Sequence, residues 1–109
     1  MGQSAEQIQI VMKRFKVFIT PRAHDEIQQG IDYYNEQVKG LGKKFHASVK
    51  ETIVALRKFP FHQIRYDDVR CLLVKKYPYM LHYTLHEKDS YVILHAVIHT
   101  SLNPDENWL

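Results

Sequence analysis

The chain has 109 residues, enough for one domain with a single modest core. Apolar residues at 45% and charged residues at 25% are ordinary for a globular protein, and a net charge of +3 suits nucleic acid, a nucleic-acid-bound machine or an acidic protein partner. The lone cysteine, Cys71, excludes an intrachain disulfide and fits a reducing compartment.

No apolar run approaches the roughly 20 residues of a membrane span. The opening MGQSAEQIQIVM lacks a charged start followed by a long apolar block, so it does not read as a signal peptide. The expectation is a cytoplasmic protein that does not engage a membrane. Residues 1–13 are largely polar and read as an appendage to a single domain over 14–109.

From Phe15 to Ile19 the chain alternates as a strand, with Phe15, Val17 and Ile19 on one side. Thr20-Pro21 then starts a helix. Threonine can cap the free amides, and proline at the first helical position loses nothing, because its missing N–H had no partner there. Ala23, Ile27, Ile31, Tyr34 and Val38 recur at spacings of three and four and form its apolar stripe. Gly40 suits the left-handed conformation that ends a helix. A second helix carries Phe45, Val49, Ile53 and Leu56 and stops at Phe59-Pro60, since proline restricts the residue before it. The short connection makes the pair an antiparallel hairpin. Residues 61–68 read as a loop.

Val69 to His99 contains three apolar, β-rich runs separated by KKYPY and HEKDS, the pattern of an antiparallel meander. The predicted fold is therefore α+β, in the order β-α-α-β-β-β, with a helical hairpin on one face of a mainly antiparallel four-stranded sheet. Alternation directs Leu72, Val74, Leu81, Tyr83, Leu85, Val92, Leu94, Ala96 and Ile98 toward the helices. It directs Cys71, Leu73, Lys75, Met80, His82, Thr84, His86, Tyr91, Ile93, His95, Val97 and His99 to the opposite, open face. If Glu87 and Ser90 close the HEKDS turn, His82 falls opposite His95, His86 opposite Tyr91, and His99 beside Pro78. In the tail, Trp108 is expected to fold back and seal a core edge.

Four histidines on one face raise the question of a metal, since histidine is a common ligand. No Asp, Glu or Cys converges on the His82–His95 pair as a third ligand, so neither a metal nor any other cofactor is expected. Acid–base chemistry by His99 or His82 stays open. Cys71, inside a strand, is expected to be an inert thiol.

These pieces resemble the RelE/ParE superfamily of bacterial type II toxin–antitoxin toxins, on the ParE-like, plasmid-stabilisation side. The resemblance runs from about Phe15 to Trp108. It rests on Ala23 with Asp25-Glu26-Ile27, the Tyr33-Tyr34 pair, Gly40-Leu41-Gly42 followed by Phe45, and Phe59-Pro60. It continues through Val69-Arg70, Tyr77-Pro78-Tyr79 and Tyr83 to His99, Asn103-Pro104 and Trp108. It implies two helices on a mainly antiparallel sheet, and a toxin blocked by a cognate antitoxin, as a hetero-oligomer or a homodimer. RelE-like members cut messenger RNA on the translating ribosome, using basic side chains on the open sheet face. ParE-like members act on DNA gyrase without a known hydrolytic residue set.

The departures favour the second kind. Where the nuclease members place an Arg at the start of the third strand this chain has Met80. Where they place outward lysines on the second it has Cys71 and Leu73, keeping Lys75. Beyond the last strand it has Thr100, Ser101 and Leu102 instead of basic residues. Cleavage of RNA needs cations to stabilise developing phosphorane charge. The expectation is a gyrase-directed toxin that is not an enzyme, with Arg70, Lys75, His82, His95 and His99 as its target-binding surface. The alternatives are an mRNA endoribonuclease using His99 or His82, and an attenuated member that only binds antitoxin.

Overall fold

A computed structural model describes residues 14–101. It contains β1 (Lys16–Ile19), α1 (Pro21–Gln37), α2 (Leu41–Lys58), β2 (Ile64–Tyr66), β3 (Val69–Leu73), β4 (Tyr79–His86) and β5 (Tyr91–His99). The two helices pack on a sheet of order β1-β5-β4-β3-β2, in which β1 and β5 are parallel and the other neighbours antiparallel. Among the described residues the sheet has five strands rather than the expected four. The additional one, β2, lies within the predicted loop and pairs with β3 through a tight turn at Asp67, whose φ is 47°. The N-terminal appendage, Leu102, Asn103-Pro104 and Trp108 fall outside the described residues.

The helix signals act as the sequence dictates. Thr20 Oγ1 accepts the Ala23 amide at 3.1 Å and Pro21 occupies the first turn. Gly40 adopts φ 87° and opens the second helix without a side-chain cap of its own. Asn35 supplies that cap from the first helix, its Oδ1 accepting the Gly42 amide at 2.9 Å.

Ala23, Ile27, Phe45, Val49 and Leu56 from the helices meet Val74, Leu81, Tyr83, Val92 and Leu94 from the sheet side. Burying each large member of this layer is worth roughly 1.5–3 kcal/mol. Tyr34, Phe45, Tyr77 and Tyr79 form an aromatic knot within it, with Phe45 and Tyr79 centroids 5.0 Å apart. Val38, expected on the apolar stripe, is instead exposed at the helix end, where the backbone has already turned extended.

One irregularity reorganises the far end of the sheet. Tyr83 faces Leu94 while His82 faces Ala96, so His95 is one extra residue on β5, a β-bulge. Up to Leu94 the strand keeps the expected parity, and His86 does face Tyr91. Past the bulge the parity inverts. Ala96 and Ile98, expected beneath the helices, join Cys71 on the opposite face, while Val97 enters the main core. His82 consequently does not face His95.

The bulge sits where β1 leaves the sheet. Ile19 pairs with Leu94, and β1 contributes no partner beyond it. There Thr20 takes over, its amide donating to the Leu94 carbonyl and its hydroxyl to the His95 carbonyl, at 3.1 and 3.0 Å. Further along α1, Glu26 Oε1 accepts the Val97 amide at 2.9 Å. Groups from the strand–helix crossover thus take over the edge positions that a strand would otherwise satisfy.

Candidate functional site

The open face of the sheet carries two polar groups rather than a row of histidines. In the first, His82 from β4 is buried, with 1% of its surface exposed. Its Nδ1 lies 3.0 Å from the Tyr66 hydroxyl and 3.5 Å from the Cys71 sulfur. Burial, with the nearby Arg22 and Arg65 charges, lowers the imidazole pKa to about 4. Burial likewise pushes the Cys71 thiol up to about 11 and the Tyr66 hydroxyl to about 12. At neutral pH this group is uncharged throughout, and Cys71 holds its proton and is no nucleophile.

In the second, Thr84 Oγ1 lies 2.9 Å from His95 Nε2 and 3.1 Å from His86 Nε2. The His86 ring stacks on Tyr91 with centroids 4.5 Å apart and planes within 6°. Desolvation lowers the His95 pKa; Asp68 opposes that shift, and His86 adds to it. Two half-buried imidazoles therefore share one hydroxyl at the open surface. Among the described residues no set of three or more His, Cys, Asp or Glu side chains is arranged to hold a metal ion.

The remaining expected site residues lie elsewhere. Arg70 donates from Nη1 to the His62 carbonyl at 2.8 Å, bracing the segment before β2. Alternation puts Lys75 on the open face, but β3 ends at Leu73 and the following turn carries Lys75 to α2. There its amide donates to Thr52 Oγ1 and its ammonium lies 3.1 Å from Glu51. His99, also expected on the open face, is turned by the bulge to the helix side. It faces Tyr79, ring centroids 5.2 Å apart, at a pocket beside α1. Of the five, only His82 and His95 share the open face, and they belong to separate groups.

Arg22, Arg65 and Tyr66 escape the sequence reading, and Glu26 enters it only as part of the resemblance. Arg22 lies in the first turn of α1, within ion-pairing distance of Glu26 at 3.2 Å, and Arg65 lies on β2. Both arginines act electrostatically on His82. The available signal for Arg65 and Tyr66 is Asp67-Asp68 between two short β-prone runs, a hairpin pattern. Nothing in the one-dimensional pattern brings Arg22 to the sheet, because that depends on where the crossover runs.

A helical hairpin on this five-stranded sheet is the RelE/ParE-type fold. A chain described as "Chromosomal ParDE TA system from P. aeruginosa" superposes with a TM-score of 0.69 at 12% identity, covering 80% of this chain and 97% of that one. The isolated E. coli RelE toxin superposes with a TM-score of 0.58 at 15% identity, covering 84% and 89%. At these identities the shared property is the fold. No protein-family model matches the chain, and no curated protein matches it. No helix among the described residues is long and apolar enough to cross a membrane.

Proposed function

We propose that this chain is the toxin of a type II toxin–antitoxin system, acting in the bacterial cytoplasm and held inactive by a cognate antitoxin. Its target is DNA gyrase, and it works by binding rather than by catalysis. The fold shared with the ParDE chain and with RelE supports the toxin assignment. The choice of target rests on one observation: Lys75, the cation expected on the open face, and Arg70, expected at the target-binding surface, are both engaged elsewhere, and of the two arginines near His82, Arg22 is already paired with Glu26. Arg70 holds a backbone carbonyl and Lys75 pairs with Glu51 on the helical side. A nuclease on this face would need cations placed around the scissile phosphate. His82, buried and uncharged, supplies neither a cation nor an accessible acid or base, so contact with the target is assigned to the His86–His95 surface.

That same pair of histidines favours the second reading, a ribosome-dependent endoribonuclease, because two accessible imidazoles can serve as acid and base. One experiment separates the two. Induced expression should arrest growth with DNA-damage signalling, and the purified chain should inhibit gyrase supercoiling while translation proceeds. Codon-phased cuts in messenger RNA with unaffected gyrase would replace the first reading by the second. Harmless overexpression of folded protein would leave only antitoxin binding.

A further inference from the structure

The inversion of β5 past His95 turns His99 to the helix side, where it borders a pocket of about 320 Å³ between α1 and the end of the sheet. The walls include Glu26, Gln29 and Tyr33 from α1 with Tyr79 and His99 from β4 and β5. The volume is at the bottom of the range for ligand sites, roughly 300–1,000 Å³, and so suits one large side chain rather than a dinucleotide.

The walls favour an aromatic ring that also carries a hydrogen-bond donor. Tyr79 and His99 meet edge to face at 79°, and Tyr33 is 52% exposed, so a further ring finds both faces and edges to pack on. Beside the rings, Gln29 and Glu26 supply oxygen acceptors. Glu26 holds the Val97 amide and pairs with Arg22, yet each carboxylate oxygen keeps a second acceptor direction. No described lysine or arginine lines the cavity, so a phosphate finds no cation there. An indole meets both requirements, because its body is apolar and its Nε1–H needs an acceptor when buried.

We infer that the occupant is the indole of Trp108, brought back by the chain's own C-terminal segment, residues 102–109. The described residues end at Ser101, two positions past His99, and the His99 ring holds the Ser101 amide at 3.0 Å. That segment therefore starts at the pocket wall. The seven steps from Ser101 to Trp108 can span at most about 25 Å, ample for a return to a wall this close. Between them lies Asn103-Pro104-Asp105, turn chemistry that suits a chain reversal, and Trp108 is the segment's sole aromatic residue. The other chain end is the poorer source. β1 begins level with Tyr91, at the far end of β5, and residues 1–14 contain no aromatic side chain. Coming from the end of β5, the segment leaves the edge groups held by Thr20 and Glu26 as they are. The seated indole covers His99, which makes that histidine the wall of an internal contact rather than an acid or base open to a substrate. The inference does not depend on the target proposed above, because every readout comes from the chain alone.

The test uses the full chain, in which Trp108 is the single tryptophan and hence a clean reporter. Its emission should lie to the blue of the urea-unfolded chain, and acrylamide should quench it several-fold less efficiently. Nuclear Overhauser contacts should join the indole protons to the rings of Tyr33, Tyr79 and His99 with the same intensity at low and high protein concentration. Trp108→Ala should shift the amide resonances of those three residues and leave those of Thr84 and His86, on the open face, in place. Tyr33→Ala, at an exposed position, should raise the quenching toward the unfolded value. Emission and quenching equal to those of the unfolded chain would overturn the contact, and so would indole contacts to residues outside the pocket alone. Contacts that grow in only as concentration rises would overturn the intramolecular assignment and give the pocket to the Trp108 of a second copy. The fluorescence and Overhauser measurements need no variant to fold.

Discussion

His82 builds a pH dependence into the fold. In the unfolded chain an imidazole titrates near 6.5, whereas burial and the Arg22 and Arg65 charges hold the native ring down at about 4. Below about pH 6.5 the unfolded chain therefore takes up a proton that the native state refuses, and stability falls as pH drops toward 4. The full difference is on the order of 3 kcal/mol, since each tenfold change in proton affinity is worth about 1.4 kcal/mol. His95, also lowered, adds to the loss in the same direction. Urea unfolding at pH 7 and pH 4.5 should show the loss, and His82→Gln should flatten it. Parallel pH profiles for the variant and the parent would show that the proton is taken up elsewhere.

Among the elements, the helical hairpin depends on one close approach. A Cβ on Gly42 would lie 2.3 Å from the Ile31 carbonyl oxygen and 2.6 Å from the Asn35 side chain, so the start of α2 nearly touches the backbone of α1. Gly42→Ala should destabilise the protein by about 1–3 kcal/mol through forced separation of the helices and loss of the Asn35 cap. Thermal unfolding measures it, and an unchanged midpoint would mean that the hairpin relaxes at no cost. The helices are legible in the sequence because caps, proline and glycine act locally, within a turn of the residues that carry them. The sheet, apart from β2, is legible only as far as Leu94. On β5 the run Val92-Ile93-Leu94 and Ala96-Val97-Ile98 is apolar on both parities, so the pattern exerts no preference about which set faces the core. What decides is Thr20 and Glu26, distant in the chain, fixing the edge groups of β5. The displacement of His99 from the open face follows from that one long-range event. Lys75 departs for a simpler reason, the end of β3 two residues before it.

Across the whole molecule, the mild positive charge is distributed in a way that composition hides. Lys75 commits its charge to Glu51 at the helical side, while Arg22 and Arg65 lie near the buried His82 of the open face. If the chain is the proposed toxin and that face meets its target, the two positions must differ in their effect on toxicity. Arg65→Glu and Lys75→Glu make the same change in net charge, so a difference between them cannot come from the overall field. Both residues are exposed, and breaking the surface pair at Lys75 should cost less than about 1 kcal/mol, leaving both variants folded. Thermal melts verify this before toxicity is compared. With gyrase as the proposed target, Arg65→Glu should weaken inhibition of supercoiling about tenfold, the equivalent of about 1.4 kcal/mol of binding energy. Lys75→Glu should leave it within about twofold of the parent, since a charge already paired on the far side has no role at the open face. Equal inhibition by the two variants would move the target surface away from the open sheet, and a stronger effect at Lys75 would place it on the side of the helices.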